Sequence, residues 1–282
     1  MKQIAGWNKG VLLQSPFFAP LHPVLAQIDT ENFPTLEDMN RLLSARKQTV
    51  IVGSGRPLRF AAQGYGKLTF EQQYEPRCYL EGELQTREHN WHDLFNALVW
   101  LTFPKAKAAI NKRHYQALLE RQAPPAPSSA ATSQRGAVRD MNTLLDESGV
   151  IVACADTRLS GLLGEFRWKE LFWQRRDDAS EKMGFFLLGH GLCEKALHPY
   201  IGLTGQGLLL AVERDFFVWP LAQRLAHLDG LLADYLNAVQ HCRSTRELTP
   251  VPLLGVPGWS PENTEEAYYD NTSYFRPGRV RA

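Results

Sequence analysis

The sequence predicts an α+β protein: a single compact domain with a small central sheet wrapped by helices and irregular N- and C-terminal arms packed on the body. Three observations indicate this class, namely short apolar segments bounded by glycine, amphipathic helical patterns between them, and proline- and aromatic-rich ends. The chain has 282 residues, which is long for one domain and short for three. Its hydrophobic fraction of 44% and charged fraction of 22% are ordinary for a globular protein. A core can therefore form without help from a metal or a disulfide.

The sheet is predicted from runs that favour strands over helices. Two weaker strands precede the centre of the chain, at Leu58–Gln63 and Gln73–Leu80, with Gly64 to Gly66 as a hairpin or loose loop between them. Three apolar runs of strand length are predicted to be buried, because each is short and bounded by turn residues. They are Val150–Ala155, Met183–Leu188 and Gly207–Val212.

The helices are predicted from apolar spacings of three and four residues and from start and stop signals. Thr35 followed by Asp38 resembles a capping box, and Pro104 divides the two central helices because proline cannot continue the first. The predicted helices are Leu36–Arg46, Trp91–Thr102, Pro104–Gln122, Gly136–Glu147, most of Thr157–Ala179, Gly189–His198 and Leu221–Val239.

The remaining segments are expected to be irregular. Residues 1–34 are expected to form an extended arm held by Trp7, Phe17 and Phe18, and residues 249–282 are expected to pack through their aromatic side chains. Residues 123–133 are rich in alanine, proline and serine, so we expect a surface loop inserted into the single domain of 1–282.

Composition excludes several classes of protein. The formal net charge of +1 argues against general nucleic-acid binding, which needs a clustered positive field. No segment has the roughly 20 consecutive apolar residues that span a bilayer, and prolines interrupt the N-terminal apolar run that a signal peptide requires. The four cysteines lie far apart without a CxxC pair. We therefore expect a cytoplasmic protein that does not bind membranes.

One candidate site lies at the start of the first central helix, where His92, Asp93 and Asn96 are grouped among large apolar residues. An adjacent His-Asp pair on a helix is found in metal-dependent phosphohydrolases, where it binds a divalent ion together with more distant ligands. The alternative is structural: Asp93 near a helix start is favoured by capping and by the helix dipole.

A second candidate set is His190, Glu194 and His198, which steps of four residues place on one helical face. Histidine and carboxylate at this spacing can share a metal ion or act as an acid–base pair. The alternative is a solvated polar face. Cys193, between them, is expected to be a small buried residue rather than a nucleophile.

A third set is basic and lies near the Gly202–Gly205 turn. Arg139, Lys169 and Lys195, with Thr204 in the turn, are candidates for binding a phosphate or carboxylate. The alternative is a set of surface ion pairs, which contribute little stability. No spacing here matches a known phosphate loop.

Several segments together resemble a known family. This resemblance covers nearly the whole chain and identifies it with a bacterial, mainly proteobacterial, family catalogued as domain of unknown function three-zero-two-five. It implies one family-wide unit, with the 123–133 stretch as a local insertion, and it implies no activity. The segments are SPFFAPL, TREHNWHDLFNALVW, VRDMNTLLDESG, FRWKELFW, GHGLCEKALHPYIGLTG and the GVPGW…YFRPGR ending.

These observations lead to two functional hypotheses. The first is a hydrolase or group-transfer enzyme in which His92, Asp93, His190 and Glu194 act as acid–base groups or metal ligands on a small or anionic ligand. The second is a non-catalytic binding or adaptor protein whose polar helix residues form a structural hydrogen-bond network. The first hypothesis requires the segments around Trp91 and Gly191 to converge on one solvent-connected hollow. The cofactor and the oligomeric state stay unassigned.

Overall fold

A computed structural model of the chain describes residues 6–64, 66–122, 129–238 and 240–278. Helices dominate these residues, with short 3-10 segments between several of them. None of the helices in these ranges has both the length and the apolar composition needed to cross a bilayer. The helices are α1 (Lys9–Gln14), α2 (His22–Leu25), α3 (Leu36–Ser44), α4 (Tyr74–Glu81), α5 (Trp91–Thr102), α6 (Pro104–Gln122), α7 (Ser129–Ser148), α8 (Thr157–Gly164), α9 (Arg176–Lys182), α10 (His190–Ala196) and α11 (Leu221–Asn237).

Two small sheets lie within this helical body, which confirms the predicted α+β class. The larger has the strand order β4-β3-β5-β6, with β3 parallel to β5 and the other two pairs antiparallel. The three strands predicted to be buried are neighbours in this sheet; every residue of β3 is buried, whereas β4 at the edge and β5 are only partly buried. The strands are β1 (Arg59–Ala62), β2 (Glu83–Thr86), β3 (Gly149–Cys154), β4 (Met183–Leu187), β5 (Thr204–Ala211) and β6 (Thr249–Pro252).

The strand predicted at Gln73–Leu80 is wrong, because this segment is the helix α4. Pro76 lies in its first turn, where proline is tolerated, and Gly82 ends it in the left-handed conformation at φ 73°. A Cβ on Gly82 would collide with the carbonyl of Pro57. Of the two alternatives predicted for Gly64 to Gly66, the hairpin is absent from the described residues, since β1 pairs in parallel with β2 after α4. A parallel pair needs such a crossover.

The N-terminal arm is helical rather than extended. Pro16 lies at the start of the 3-10 helix Pro16–Leu21, and a further proline lies at the start of α2, so the prolines begin short helices instead of preventing them. The aromatic residues predicted to hold the arm do contact the body. Phe17 and Phe18 are buried, and the ring centroids of Trp7 and Trp91 lie 5.9 Å apart.

The central helices form as predicted. Asn90 caps α5 by accepting a hydrogen bond from Asp93 N at 3.0 Å, and Pro104 begins α6. The Thr35 capping box with Asp38 is present at the start of α3 with both of its hydrogen bonds. The carboxylate of Asp229 on α11 accepts from the second and third residues of α6. It therefore caps that helix from a distant part of the chain.

Two predicted segments differ in detail. Of the 123–133 loop, residues 123–128 lie outside the described residues, and 129–133 begin α7. The helical stretch predicted over Thr157–Ala179 is divided into α8, the π-helix Glu170–Gln174 and α9. Phe166 has a φ of 60°, which ends α8 before the next helical turn begins.

The C-terminal arm is irregular and anchored by aromatic rings, as predicted. Apart from β6, which contains prolines and lies at the sheet edge, it consists of 3-10 segments and turns. Tyr269, Tyr274 and Phe275 are buried in the body.

Candidate metal centre

Three helix ends meet at one point of the structure. His92 lies in the first turn of α5, Glu147 in the last turn of α7, and His190 is the first residue of α10. Close approach of α10 to α7 requires glycine on both sides of His190. A Cβ on Gly191 would collide with the Glu147 carboxylate, and one on Gly189 would collide with the backbone at the end of α7. The GHG sequence therefore allows the imidazole to reach the neighbouring helix.

The side chains of His92, Glu147 and His190 face one another. Oε1 of Glu147 lies 3.9 Å from Nε2 of His92 and 3.6 Å from Nε2 of His190. The two imidazole rings are 4.4 Å apart, centroid to centroid, at an angle of 70°. His92 and Glu147 have 30% and 43% of their side chains exposed, whereas His190 has only 5% exposed. The group is thus open to solvent on the side of His92 and Glu147.

Each histidine has a second carboxylate behind it. Nδ1 of His92 lies 3.1 Å from Oε2 of Glu194, and Nδ1 of His190 lies 3.9 Å from Oδ2 of Asp146. A hydrogen bond from Nδ1–H of His92 to Glu194 fixes the tautomer in which the Nε2 lone pair is free. Asp146 is ion-paired with Lys107, a nearly fully buried lysine on α6.

The charge states suit metal ligation. Burial lowers the pKa of His190 to about 3, even though the Asp146 carboxylate opposes this shift. The imidazole is therefore neutral at physiological pH. Burial by itself would raise the pKa of Asp146, but the charges of Lys107 and His190 lower it to about 2. Burial raises the pKa of Glu147. A nearby cation would favour its ionised form.

The three ligand atoms fit a divalent metal ion. Within the described ranges, His92, Glu147 and His190 are the one set of three or more potential ligands whose atoms all lie within 4.8 Å of one another. Ligands bound to zinc at about 2.1 Å lie roughly 3.4 Å apart in a tetrahedron. The observed separations of 3.6 and 3.9 Å from Glu147 Oε1 exceed this by half an ångström or less. Nδ1 of His190, the ring nitrogen that does not face Glu147, is buried without a hydrogen-bond partner among the described residues.

A cavity of about 270 Å³ reaches the site from the carboxylate side. It lies between α6 and α7 and the start of α4, and the two histidines are not part of its described lining. The segments around Trp91 and Gly191 thus converge on Glu147, which lies at the edge of this cavity, and the predicted hollow lined by both histidines is not described. The lining residues are Glu75, His114, Leu118, Arg121, Arg139, Thr143, Asp146 and Glu147.

A comparison of the sequence with protein-family models identifies the family of the chain. The model of a family described as "Protein of unknown function (DUF3025)" matches residues 58–279. The chain belongs to this family. The comparisons with curated proteins and with solved structures returned no match. The family match includes His92, Glu147 and His190 and leaves the N-terminal arm outside.

Of the residues predicted for catalysis, the structure brings His92, His190 and Glu194 together and separates Asp93 from them. The Asp93 carboxylate binds Arg87 through three hydrogen bonds of 2.7 to 2.9 Å. These bonds lower the pKa of Asp93 despite the opposing effect of burial. Asp93 is therefore held in an ion pair with Arg87, and the capping role that the structural alternative gave to Asp93 belongs to Asn90.

The residues predicted to bind a ligand are dispersed. Asn96 donates to the Tyr74 hydroxyl at 2.5 Å, and Arg139 lines the cavity beside Glu147. Lys169 is paired with Glu266 and Asp270, as the surface alternative expects. Three other residues of the second and third sets belong neither to the candidate metal centre nor to the described lining of the cavity. Lys195 and His198 are exposed, Thr204 bonds its own turn, and His198 follows the end of α10.

Sequence reasoning missed Asp146 and Glu147, although a signal for them exists. Both lie in the last turn of α7, where the negative end of the helix dipole disfavours carboxylates. An acidic pair in that position needs stabilising partners: Asp146 is ion-paired with Lys107, and Glu147 faces the two histidines. Cys193 is buried, and burial raises its thiol pKa to about 12, so it is unsuited to act as a nucleophile.

Proposed function

We propose that this protein is a metal-dependent enzyme of the hydrolase or group-transfer kind, with its metal held by His92, His190 and Glu147. The observation that supports the proposal is that both histidines direct Nε2 at one carboxylate oxygen. Two histidines and one carboxylate are the protein ligands of hydrolytic zinc sites, which keep a further position open for water. A bound ion would supply Lewis-acid chemistry and lower the pKa of a water molecule.

The surrounding residues have supporting roles in this proposal. Glu194 holds Nδ1 of His92, and Asp146 faces Nδ1 of His190, so each imidazole is oriented from behind. Lys107 neutralises Asp146, which prevents the buried carboxylate from drawing a proton onto His190. The exposed sides of His92 and Glu147 leave a path for water and substrate.

Metal binding tests the proposal directly. We expect protein purified without added metal, then stripped with chelator, to bind about one equivalent of Zn²⁺ by calorimetry. His190→Ala and Glu147→Gln should each weaken this binding by about 100-fold or more, because each removes a ligand. His198→Ala is the matched control, since His198 lies on the same segment but is exposed beyond the helix end.

Catalysis is tested on the same samples. Chromogenic esters and phosphate esters should be hydrolysed by the metal-loaded protein and not by the stripped protein or the Glu147→Gln variant. If the wild-type protein binds no divalent ion and the variants change only thermal stability, the proposal is wrong. The cluster would then be the structural hydrogen-bond network of a binding or adaptor protein.

We also propose that the protein works in the cytoplasm of a bacterium. All four cysteines are free and buried, which suits a reducing compartment, and the family resemblance is to bacterial sequences. Cell fractionation of a tagged chain tests this, and recovery of the protein from the periplasm or the membrane fraction would contradict it.

A further inference from the structure

The cavity beside Glu147 has an uneven distribution of charged groups. Its acidic side chains already have partners. Asp146 is paired with Lys107, Glu75 accepts from Asn111 Nδ2 at 2.6 Å, and Glu147 faces the histidines. Asp146 is therefore balanced by a cation, whereas Glu75 is held by a neutral amide and Glu147 by its contacts with the imidazoles.

Two basic side chains of the same cavity have no acidic partner among the described residues. Arg121 near the end of α6 and Arg139 on α7 both line the cavity. In the part of the chain that the structure describes, neither guanidinium has a hydrogen bond or an ion pair. His114 and the Thr143 hydroxyl lie on the same lining and add further donors. Arg121 and Arg139, whose side chains are exposed, are therefore cationic donors without an acceptor among the described residues, whereas His114 already interacts electrostatically with Glu75 and Asp146.

The position and size of the cavity limit what can bind there. Glu147 belongs both to its lining and to the candidate metal centre, and Asp146 on the same lining faces His190, so a ligand in the cavity lies next to the metal ligands. A volume of about 270 Å³ is slightly below the range of ordinary small-molecule sites, roughly 300–1,000 Å³. The occupant must therefore be small, or only its head group can enter.

We propose that this cavity binds the phosphate group of a small phosphate monoester, which is the substrate of the enzyme. The inference rests on the proposed function and gives its substrate class. Guanidinium groups bind phosphate oxygens in a bidentate manner, and two of them with an imidazole and a hydroxyl match a tetrahedral dianion better than a planar carboxylate. In the reaction, water adds to phosphorus, the bond from phosphorus to the alcohol oxygen breaks, and that oxygen takes up a proton from the water.

Phosphate binding tests this inference separately from metal binding. Inorganic phosphate is titrated by calorimetry into stripped and metal-loaded protein, for the wild type, Arg139→Ala, Arg121→Ala and the control Arg41→Ala, whose arginine pairs with acidic residues on the distant α3. We expect each cavity variant to weaken phosphate binding by about tenfold, because a charge-assisted hydrogen-bond donor is lost. Arg41→Ala should bind phosphate like the wild type, and all three variants should bind metal like the wild type.

The outcomes separate the two proposals. Phosphate affinity that stays the same in both cavity variants overturns the substrate assignment and leaves the metal centre intact. Acetate binding as tightly as phosphate also overturns it, in favour of a carboxylate ligand. Arginine-dependent phosphate binding in a protein that binds no metal supports the phosphate site and overturns the metal-dependent mechanism. In the active enzyme, phosphate should compete with p-nitrophenyl phosphate, and absence of competition contradicts the inference.

Discussion

Two regions of the molecule bury polar side chains in opposite ways. In the C-terminal network, defined here as Asn263, Tyr269 and Tyr274, every side chain is hydrogen-bonded to backbone. Asn263 donates to two carbonyls at 2.9 and 2.7 Å, and the two tyrosine hydroxyls donate to carbonyls at 2.9 and 2.7 Å. Tyr268, whose buried hydroxyl has no partner among the described residues, is the exception in this region.

The site layer, defined here as Asn96, Asn111 and His190, is buried but incomplete. Each of its three side chains has one buried polar atom without a hydrogen-bond partner in the described part of the chain. An unpaired buried polar group costs about 1–3 kcal/mol. The C-terminal network therefore stabilises the fold. The site layer instead keeps unpaired polar atoms that can bind water, a metal or a ligand.

The largest effect is expected at Lys107, the buried cation of the site. Lys107→Met leaves the Asp146 carboxylate unpaired, so we expect the free energy of unfolding to fall by about 3–5 kcal/mol in urea denaturation. The double variant with Asp146→Leu should recover most of this loss. Lys105→Met is the control on the same helix, because Lys105 is exposed. Equal losses in the two single lysine variants would show that the buried pair is unimportant.

Asp229 is a second buried aspartate, but its environment raises its pKa, whereas the environment of Asp146 lowers the pKa of that residue. It lacks a cation like Lys107 at hydrogen-bond distance in the described residues, and Lys105 and Arg46 act on it only from farther away. Burial raises its pKa to about 6, against the effect of the two α6 N–H groups it accepts from. Because the folded pKa lies above the unfolded value of 3.8, the folded state binds more protons between these two pH values.

The expected result is a stability that falls as pH rises through this window. The unfolding free energy of the wild type, relative to Asp229→Asn, should decrease by at most about 3 kcal/mol between pH 4 and pH 7. Taking the difference between the two proteins cancels the other carboxyl groups. Urea denaturation at several pH values measures it. A difference that is constant with pH, or that grows as pH rises, contradicts the assignment.

The C-terminal network and the site layer should respond differently to the same substitution. Asn263→Ala removes bonds to two carbonyls and to Arg176, so we expect a loss of about 2–3 kcal/mol in unfolding free energy with unchanged metal affinity. Asn96→Ala removes one hydrogen bond, from Nδ2 to the Tyr74 hydroxyl. It also removes the buried Oδ1, which has no hydrogen-bond partner among the described residues. We expect a loss of about 1 kcal/mol or less. Equal losses would remove the distinction between the two regions.

The sequence predicted those parts of the fold that depend on local signals. Pro104 divides α5 from α6, and the Thr35 box opens α3, because both features act within one helical turn. The strand predicted over Gln73–Leu80 was wrong because tyrosine content outweighed the Pro76 and Gly82 signals, which determine the helix. Local propensity is a weak guide when caps oppose it.

The candidate site depends on contacts between distant segments, so the sequence indicated only part of it. His92 and His190 could be named because they lie among apolar residues at helical spacing. Their relation to Glu147 depends on the packing of α10 against α7, which no local pattern encodes. The pairing of Asp93 with Arg87 was not predicted, because Arg87 lies before the helix and outside its periodic pattern.

The smallest effect on folding stability is expected at Glu194, because its bond to His92 orients the imidazole and contributes little to folding. Glu194→Gln keeps the shape of the side chain but removes the charge that Nδ1–H of His92 meets at 3.1 Å. We expect Zn²⁺ affinity to fall by about tenfold, with the urea midpoint unchanged, because outer-shell carboxylates raise the basicity of a histidine ligand. Glu181→Gln, on the exposed surface of α9, is the matched control. If Glu194→Gln lowers stability while metal affinity stays at the wild-type level, the pair belongs with the C-terminal network as a structural contact. His92 would then be held for packing and not for ligation.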